Sequence, residues 1–182
     1  ESNKIMFGNR SKINNNKNEN LDFYPTPENA VELLLQNIKL IEPILEPCNG
    51  TGNIEKVIRK YYNNIYTLDI NKNAKANEYI DYFKFEKLGF NTIITNPPFK
   101  FNNNCEFIKK SLELVENNGY VIMLLKLVFL ESEKRKEFFK QNPPYRILVH
   151  SKRLNFFGGT GICYAWFIWK KNYKGETTIN VI

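Results

Sequence analysis

The run Ile93-Ile94-Thr95-Asn96-Pro97-Pro98-Phe99 carries β-favouring residues straight into an Asn, two prolines and an aromatic. Residues 91–95 have the character of a short buried strand. Two successive prolines lack N–H donors and cannot continue a sheet ladder, so the strand ends at Asn96. The stiff, extended turn that follows fixes the Asn96 amide and the Pro97 carbonyl beside the strand's end. Phe99 comes next as a flat apolar plate. Two oxygen acceptors and an aromatic face suit a planar base with an exocyclic NH2: the oxygens take its hydrogens and the ring stacks. A proline-terminated strand with a core Phe would use the same residues, so the reading depends on the rest of the chain.

Upstream, residues 41–45 read as a short apolar strand. It runs into Glu46-Pro47-Cys48-Asn49-Gly50-Thr51-Gly52-Asn53 and then a helix over 54–62. Strand, glycine turn and helix open a doubly wound α/β sheet. Gly50 and Gly52 let a ligand come close to the backbone. The third glycine of the dinucleotide fingerprint is missing, and so is a Walker lysine, which disfavours phosphate cradling. Residues 65–70 form the next strand, with Asp69 at its end, where a carboxylate can accept both hydroxyls of a ribose. A third strand is expected over 79–83. There Asp81 is followed by Tyr82 and Phe83, a carboxylate beside rings that suit an adenine.

Ahead of the first strand, Asp22-Phe23-Tyr24-Pro25-Thr26-Pro27 predicts a helix start. Thr26 would be its N-cap and Pro27 its first residue. The helix runs to about residue 38 and buries Ala30, Val31, Leu34, Leu35 and Ile38. Tyr24 sits just before the cap. The box is either a plain helix start or a helix N-terminus turned to a ligand's carboxylate.

Downstream, an amphipathic helix is expected over 105–117, with Phe107, Ile108, Leu112 and Val115 inward, stopped at Asn118-Gly119. Residues 120–125 form a central strand. A charged helix over 131–141 is closed by Pro143-Pro144. Strands over 146–151 and 163–170 flank a loop ending in Gly158-Gly159-Thr160-Gly161, which can form the far wall of a base pocket. Residues 177–182 add a short terminal strand. Residues 1–20, rich in Asn and Lys, read as a flexible arm. Residues 21–182 read as a single domain without repeats or an internal linker.

The 182 residues, 42% hydrophobic, suffice for one core. No apolar run is long enough to cross a bilayer, and no signal-peptide pattern is present, so a soluble, cytoplasmic protein without a membrane partner is expected. Cys48, Cys105 and Cys163 form no C-x-x-C pair, which disfavours a disulfide framework or a zinc site. The single His, His150, falls in a predicted strand; it supports neither a Ser/His/Asp triad nor a His-based metal site, and no metal is expected. The formal net charge of +7 favours a polyanionic partner. Residues 126–153 hold eight Lys and Arg against three Glu, although Glu and Lys interleave there as on a solvated helix.

Tyr24–Pro27, Glu46–Gly52, Asp69, Asp81 and Asn96–Phe99 each fall at an element's end. In a parallel sheet these ends share one edge, where α/β folds bind ligands. With these motifs in view, the chain resembles class I S-adenosylmethionine-dependent methyltransferases of the amino-methyltransferase group, specifically the N6-adenine DNA methyltransferases. The likeness runs over 22–182, and 127–139 and 164–182 resemble the small, phage-type members. The resemblance implies a Rossmann-like, mostly parallel seven-stranded sheet with one antiparallel strand, and S-adenosylmethionine as cofactor. By it, Tyr24 and Thr26 contact the cofactor's methionine end, and Glu46, Asn49, Gly50 and Gly52 line the same half. Asp69 holds the ribose, Asp81 and Tyr82 meet the adenine, and Asn96 borders both cofactor and substrate.

The resemblance also implies a catalytic group of Asn96, Pro97, Pro98 and Phe99 acting on a flipped base. Many DNA methyltransferases carry a separate target-recognition domain, for which this chain has no room. Target choice then falls to loops, the arm, a partner subunit or a homodimer. DNA is the expected partner. RNA adenine and protein glutamine methyltransferases use closely similar tetrapeptides and stay open, as do cytosine N4 and a non-catalytic nucleic-acid-binding module on the same fold.

Overall fold

The computed structural model describes residues 24–98, 105–156 and 162–182. Eight strands make one sheet in the order β3-β2-β1-β4-β5-β7-β6-β8. They are β1 (Ile44–Glu46), β2 (Ile65–Asp69), β3 (Glu78–Tyr79), β4 (Phe90–Thr95), β5 (Val115–Lys126), β6 (Arg146–Val149), β7 (Tyr164–Lys170) and β8 (Thr178–Val181). Pairing is parallel except at β7, which runs antiparallel to both β5 and β6. This is the expected doubly wound, mostly parallel architecture. The seven expected strands are joined by the short terminal strand, whose four residues are all exposed.

The core follows from strand periodicity. Leu45, Ile93, Val121, Met123, Leu125, Phe167 and Trp169 join one cluster, with Phe107 and Ile108 of α3 (Glu106–Leu114) and Phe138 of α4 (Lys136–Gln141). Their strand neighbours Ile44, Ile94, Ile122, Leu124, Trp166 and Ile168 join the other, with Ala30, Val31 and Leu34 of α1 (Glu28–Asn37) and Val57 and Ile58 of α2 (Asn53–Ile58). Successive side chains point to opposite faces, so a strand buried on both sides is apolar throughout. The fully buried Trp166 also donates its indole N–H to the Ala30 carbonyl at 2.9 Å, tying β7 to α1.

Several boundaries differ from the sequence expectation. Helix α1 begins at Glu28 with Pro27 as its N-cap, and no side chain caps it. Pro27 has ψ 132°, extended and not helical, so Thr26 lies one residue outside the cap position. Strand β1 starts only at Ile44, because Pro43 has no N–H to give. The Pro43 carbonyl instead accepts from Asn91 N–H at 2.9 Å, and Ile41 exchanges two hydrogen bonds with the Thr92 hydroxyl.

Helix α2 ends at Ile58, four residues early. Strand β3 is two residues long, after which Asp81 accepts from the Phe83 N–H at 3.0 Å and caps a 3-10 turn, Tyr82–Lys84. Helix α3 stops at Leu114 and the chain is already in β5 when it reaches Asn118-Gly119. Asn118 has φ +62°, and a Cβ on Gly119 would lie 2.6 Å from the Asn91 carbonyl oxygen. The pair therefore marks a close approach of β5 to β4, where the ladder's register shifts, and not a helix end. The charged helix expected over 131–141 is a 3-10 turn, Glu133–Arg135, followed by α4, and a further 3-10 turn, Leu127–Leu130, precedes it.

Candidate active site

The carboxyl ends of β1, β2 and β4 lie side by side, and the loops leaving them interlock. After Glu46 the chain makes a tight turn in which Gly50 and Gly52 take φ +54° and +81°, values that side-chain-bearing residues rarely adopt. The turn is fastened from two directions. Gly50 N–H donates to Asp69 Oδ2 at 2.7 Å, and Asn49 N–H donates to the Leu68 carbonyl at 2.9 Å. The Asn49 side-chain amide donates to Glu55 Oε2 at 2.7 Å and to the Lys75 carbonyl at 2.5 Å.

Asp69 is therefore already engaged. Its Oδ1 accepts from Asn71 N–H at 2.8 Å while Oδ2 holds Gly50. Each carboxylate oxygen has a second lone-pair direction, so the group can still accept a ligand's hydroxyls.

The segment before α1 folds across the same edge. The Tyr24 carbonyl accepts from Asn96 Nδ2 at 3.1 Å, and the Thr26 carbonyl accepts from Asn53 Nδ2 at 3.0 Å. Two side-chain amides thus clasp this segment against the glycine turn and the end of β4. With Nδ2 committed to Tyr24, the Asn96 oxygen is the acceptor left to a ligand. Pro97 is buried, and Pro98 is half-buried behind it.

Three buried side chains here carry atoms without a hydrogen-bond partner: Glu46 Oε2, Asn49 Oδ1 and Thr95 Oγ1. Glu46 is 1% exposed, and burial pushes its carboxyl up to about 8. The Thr95 hydroxyl and the Cys48 N–H pull it down, and the Asp69 and Glu55 charges push it further up. The Cys48 N–H donates to Glu46 Oε1 at 2.8 Å, whereas the nearby Thr95 hydroxyl does not reach hydrogen-bonding geometry with Oε2. Burial, reinforced by the Glu46 charge, also drives the Cys48 thiol well above its ordinary range, so this cysteine is no ready nucleophile.

Of the residues singled out from sequence, Tyr24, Thr26, Glu46, Asn49, Gly50, Gly52, Asp69, Asn96, Pro97 and Pro98 meet at this edge. Asp81 caps its own 3-10 turn, within electrostatic reach of Cys48 in the glycine turn. Tyr82 is a core residue: it is 4% exposed, its ring lies 4.8 Å from that of Phe107, and its hydroxyl is 2.9 Å from Ser111 Oγ. The neighbouring Phe83 is the exposed aromatic of the pair. Phe99, the arm over 1–20 and the glycine run 158–161 lie outside the described residues. Sequence reasoning missed Asn53, whose only signal was an Asn at a helix start, and Thr95, which read simply as a strand residue. Among the described residues, no group of His, Cys, Asp and Glu is arranged to hold a metal ion, and no helix is long and apolar enough to cross a membrane.

The basic stretch divides by role. Arg135 donates to the Phe129 carbonyl at 2.7 Å and stacks over the Phe129 ring, and Arg146 donates to the Asn37 carbonyl at 2.7 Å and to Asn180 Oδ1 at 3.0 Å. Both hold the fold together. Lys134, Lys136, Lys140, Lys152 and Arg153 are exposed.

No protein-family model matches the chain. A curated relative, an uncharacterized adenine-specific methylase of Mycoplasma pneumoniae, is 26% identical over 156 residues, an alignment covering 72% of this chain. The chain spans only 36% of that relative's length. Among solved structures, a protein described as a class I S-adenosylmethionine-dependent methyltransferase from Listeria monocytogenes superposes with TM-score 0.59 at 15% identity, over 85% of this chain and 62% of that one. A protein described as a modification subunit of a type I restriction enzyme from Vibrio vulnificus gives 0.60 at 17% identity, over 90% and 48%. A protein described as an RNA methyltransferase from Pyrococcus horikoshii gives 0.60 at 15%, over 86% and 90%. The fold is therefore that of the class I methyltransferases.

Proposed function

We propose that this chain is an S-adenosylmethionine-dependent methyltransferase acting on the exocyclic N6 amine of adenine in DNA. The observation that carries the reading is the convergence at one sheet edge of the Asn96 amide and three unpartnered buried polar atoms, on Glu46, Asn49 and Thr95. Buried polar atoms are nearly always satisfied, so a cluster of such exceptions argues for a ligand. Two of these groups, on Glu46 and Asn49, are acceptors and the third is a hydroxyl, a set that suits the ammonium end of an amino-acid-bearing cofactor. Asp69 suits its ribose hydroxyls, and Asp81 with the exposed Phe83 suits its adenine. The fit supports S-adenosylmethionine, which when bound supplies a methyl group on an activated sulfonium. No metal and no protein nucleophile is called for.

The remaining chemistry falls to the chain. An adenine N6 lone pair is delocalised into the ring, so the amine is a poor nucleophile. Asn96 Oδ1 and the Pro97 carbonyl accept its two hydrogens, which favours a pyramidal amine with its lone pair directed at the methyl group. Placement of this kind supplies most of the rate in transfers from an activated donor. Phe99 stacks the base once it has left the duplex, offsetting with roughly 1–3 kcal/mol the few kcal/mol that flipping costs. The methylase relative's name supports adenine, and the restriction-modification neighbour supports DNA. Exposed Lys134, Lys136, Lys140, Lys152 and Arg153 suit the phosphates, and target choice falls to loops, the arm or a second subunit.

The test is methyl transfer from labelled cofactor to DNA, RNA and protein in parallel, followed by nucleoside analysis. N6-methyladenine in DNA is the expected product. Label confined to RNA, to protein glutamine or to cytosine N4 would overturn the substrate assignment.

A further inference from the structure

His150 follows β6 directly, 9% exposed, with neither Nδ1 nor Nε2 hydrogen-bonded to anything. Only four described residues carry buried side-chain polar atoms without partners: Glu46, Asn49, Thr95 and His150. All four lie at the carboxyl edge of the sheet. Three serve the cofactor half of the proposed site. His150 lies on the other side, because β5 and β7 separate β4 from β6. Three strand spacings make about 14 Å, too far for the base held at Asn96 but suited to its neighbour along the strand.

The surroundings agree. His150 N–H meets the Tyr164 carbonyl at 3.4 Å, extending the β6–β7 ladder, so the two side chains share a face. The Tyr164 ring lies 4.7 Å from that of Phe156. Its phenol is pushed up by burial and then by the Tyr24 phenol, which puts Tyr24 within electrostatic reach, and the Tyr24 carbonyl is the group that holds Asn96. Tyr164 and Phe156 thus form an aromatic patch on the face that His150 shares. Exposed Lys152 and Arg153 follow at once, where a strand's phosphates would pass. Burial holds the imidazole down to about 4, so at neutral pH it offers one donor and one acceptor and no charge. That pattern matches the edge of a base and poorly matches a phosphate.

We propose that His150 is a specificity-determining residue of the site, its imidazole reading the base edge of the nucleotide adjacent to the methylated adenine. The inference rests on the DNA reading above.

The test uses the full chain with duplex oligonucleotides whose positions flanking a single adenine are randomised, labelled S-adenosylmethionine, and single-turnover kinetics. His150→Leu removes both nitrogens at similar volume, and His150→Asn restores one donor and one acceptor. The parent should prefer one flanking base, His150→Leu should lose about tenfold of that preference, and His150→Asn should recover part of it. Cofactor affinity should be unchanged in both variants, and melting temperature unchanged or higher in the Leu variant. An active parent and variants with identical flanking preferences would overturn the role of His150 alone. A parent that binds cofactor but methylates no DNA would overturn the DNA reading and this inference with it. Should His150→Leu not fold, His150→Asn with the parent's profile and a faster off-rate for every sequence alike would equally overturn it.

Discussion

The side-chain nitrogen of Asn96 lies 3.1 Å from the carbonyl oxygen of Tyr24, 72 residues earlier in the chain. The bond decides which way the amide faces: its nitrogen is spent on the protein and its oxygen is presented as an acceptor. An acceptor oriented before the substrate arrives needs no reorganisation during the reaction.

Asn96→Ala should therefore damage turnover far more than binding. Loss of one preorganised hydrogen-bonding group commonly costs about 10²–10³ in rate. Single-turnover methylation should fall by that order while equilibrium DNA affinity changes by less than a few fold, the pattern of an interaction made mainly in the transition state. A variant that methylates at the parent's rate would remove Asn96 from the mechanism.

Asp69 is braced by two backbone N–H groups, so Asp69→Ala should act twice. It should weaken cofactor binding, because hydrogen bonds to a charged acceptor are worth about 1.5–3 kcal/mol each. It should also lower the melting temperature, because Gly50 and Asn71 lose their acceptor. Calorimetry and a thermal melt on the same sample separate the two effects; normal affinity in a destabilised variant would leave Asp69 a purely structural residue.

Glu46 has its carboxyl raised from near 4.5 to about 8. The native state then binds a proton that the unfolded chain releases, so this contribution to stability is complete below pH 4.5 and disappears as pH rises towards 8. A cationic ligand favours the ionised form, so S-adenosylmethionine affinity should rise with pH up to about 8. Glu46→Gln should flatten both dependences and bind the cofactor weakly throughout. Melting curves and calorimetry from pH 5 to 9 check this, and a parent affinity independent of pH would contradict it.

The basic surface should reveal itself in salt. DNA affinity should fall with a slope of about −0.9 per phosphate contacted. Lys134→Ala, Lys136→Ala and Lys152→Ala should each reduce that slope. Arg146→Ala should leave it unchanged and lower stability, since its guanidinium holds the Asn37 carbonyl. Fluorescence anisotropy at several salt concentrations reads the slopes, and a flat response in the parent would make this charge mere solvated surface.

Much of this was legible in the chain. Strands buried on both faces announce themselves as apolar runs, and two prolines after Asn96 can only end one. The order of strands and glycine turn gave the architecture. What the chain could not disclose were bonds between distant segments. The Asn53–Thr26 and Asn96–Tyr24 clasps join side-chain amides to carbonyls, and any residue supplies a carbonyl. Helix ends were misjudged where a proline or a close backbone approach overrode apolar spacing, as at Pro27 and Gly119. Asp81 followed by two aromatics suggests a ring at the ligand, as does the resemblance for Tyr82, yet the 3-10 turn rotates Tyr82 into the core and leaves Phe83 outside. His150 looked like an ordinary strand residue, since the sequence does not say whether a buried imidazole finds partners.

The indole of Trp166 reaches from β7 to the Ala30 carbonyl in α1, and α1 begins just after the segment that Asn53 and Asn96 clasp. The β6–β7 hairpin therefore supports α1, and α1 carries one wall of the proposed site. A split of this protein after β5 would separate α1 from its seat even though every residue of the glycine turn stayed in one fragment. Fragment exchange between relatives faces the same constraint: α1 and the β6–β7 hairpin have to be inherited together.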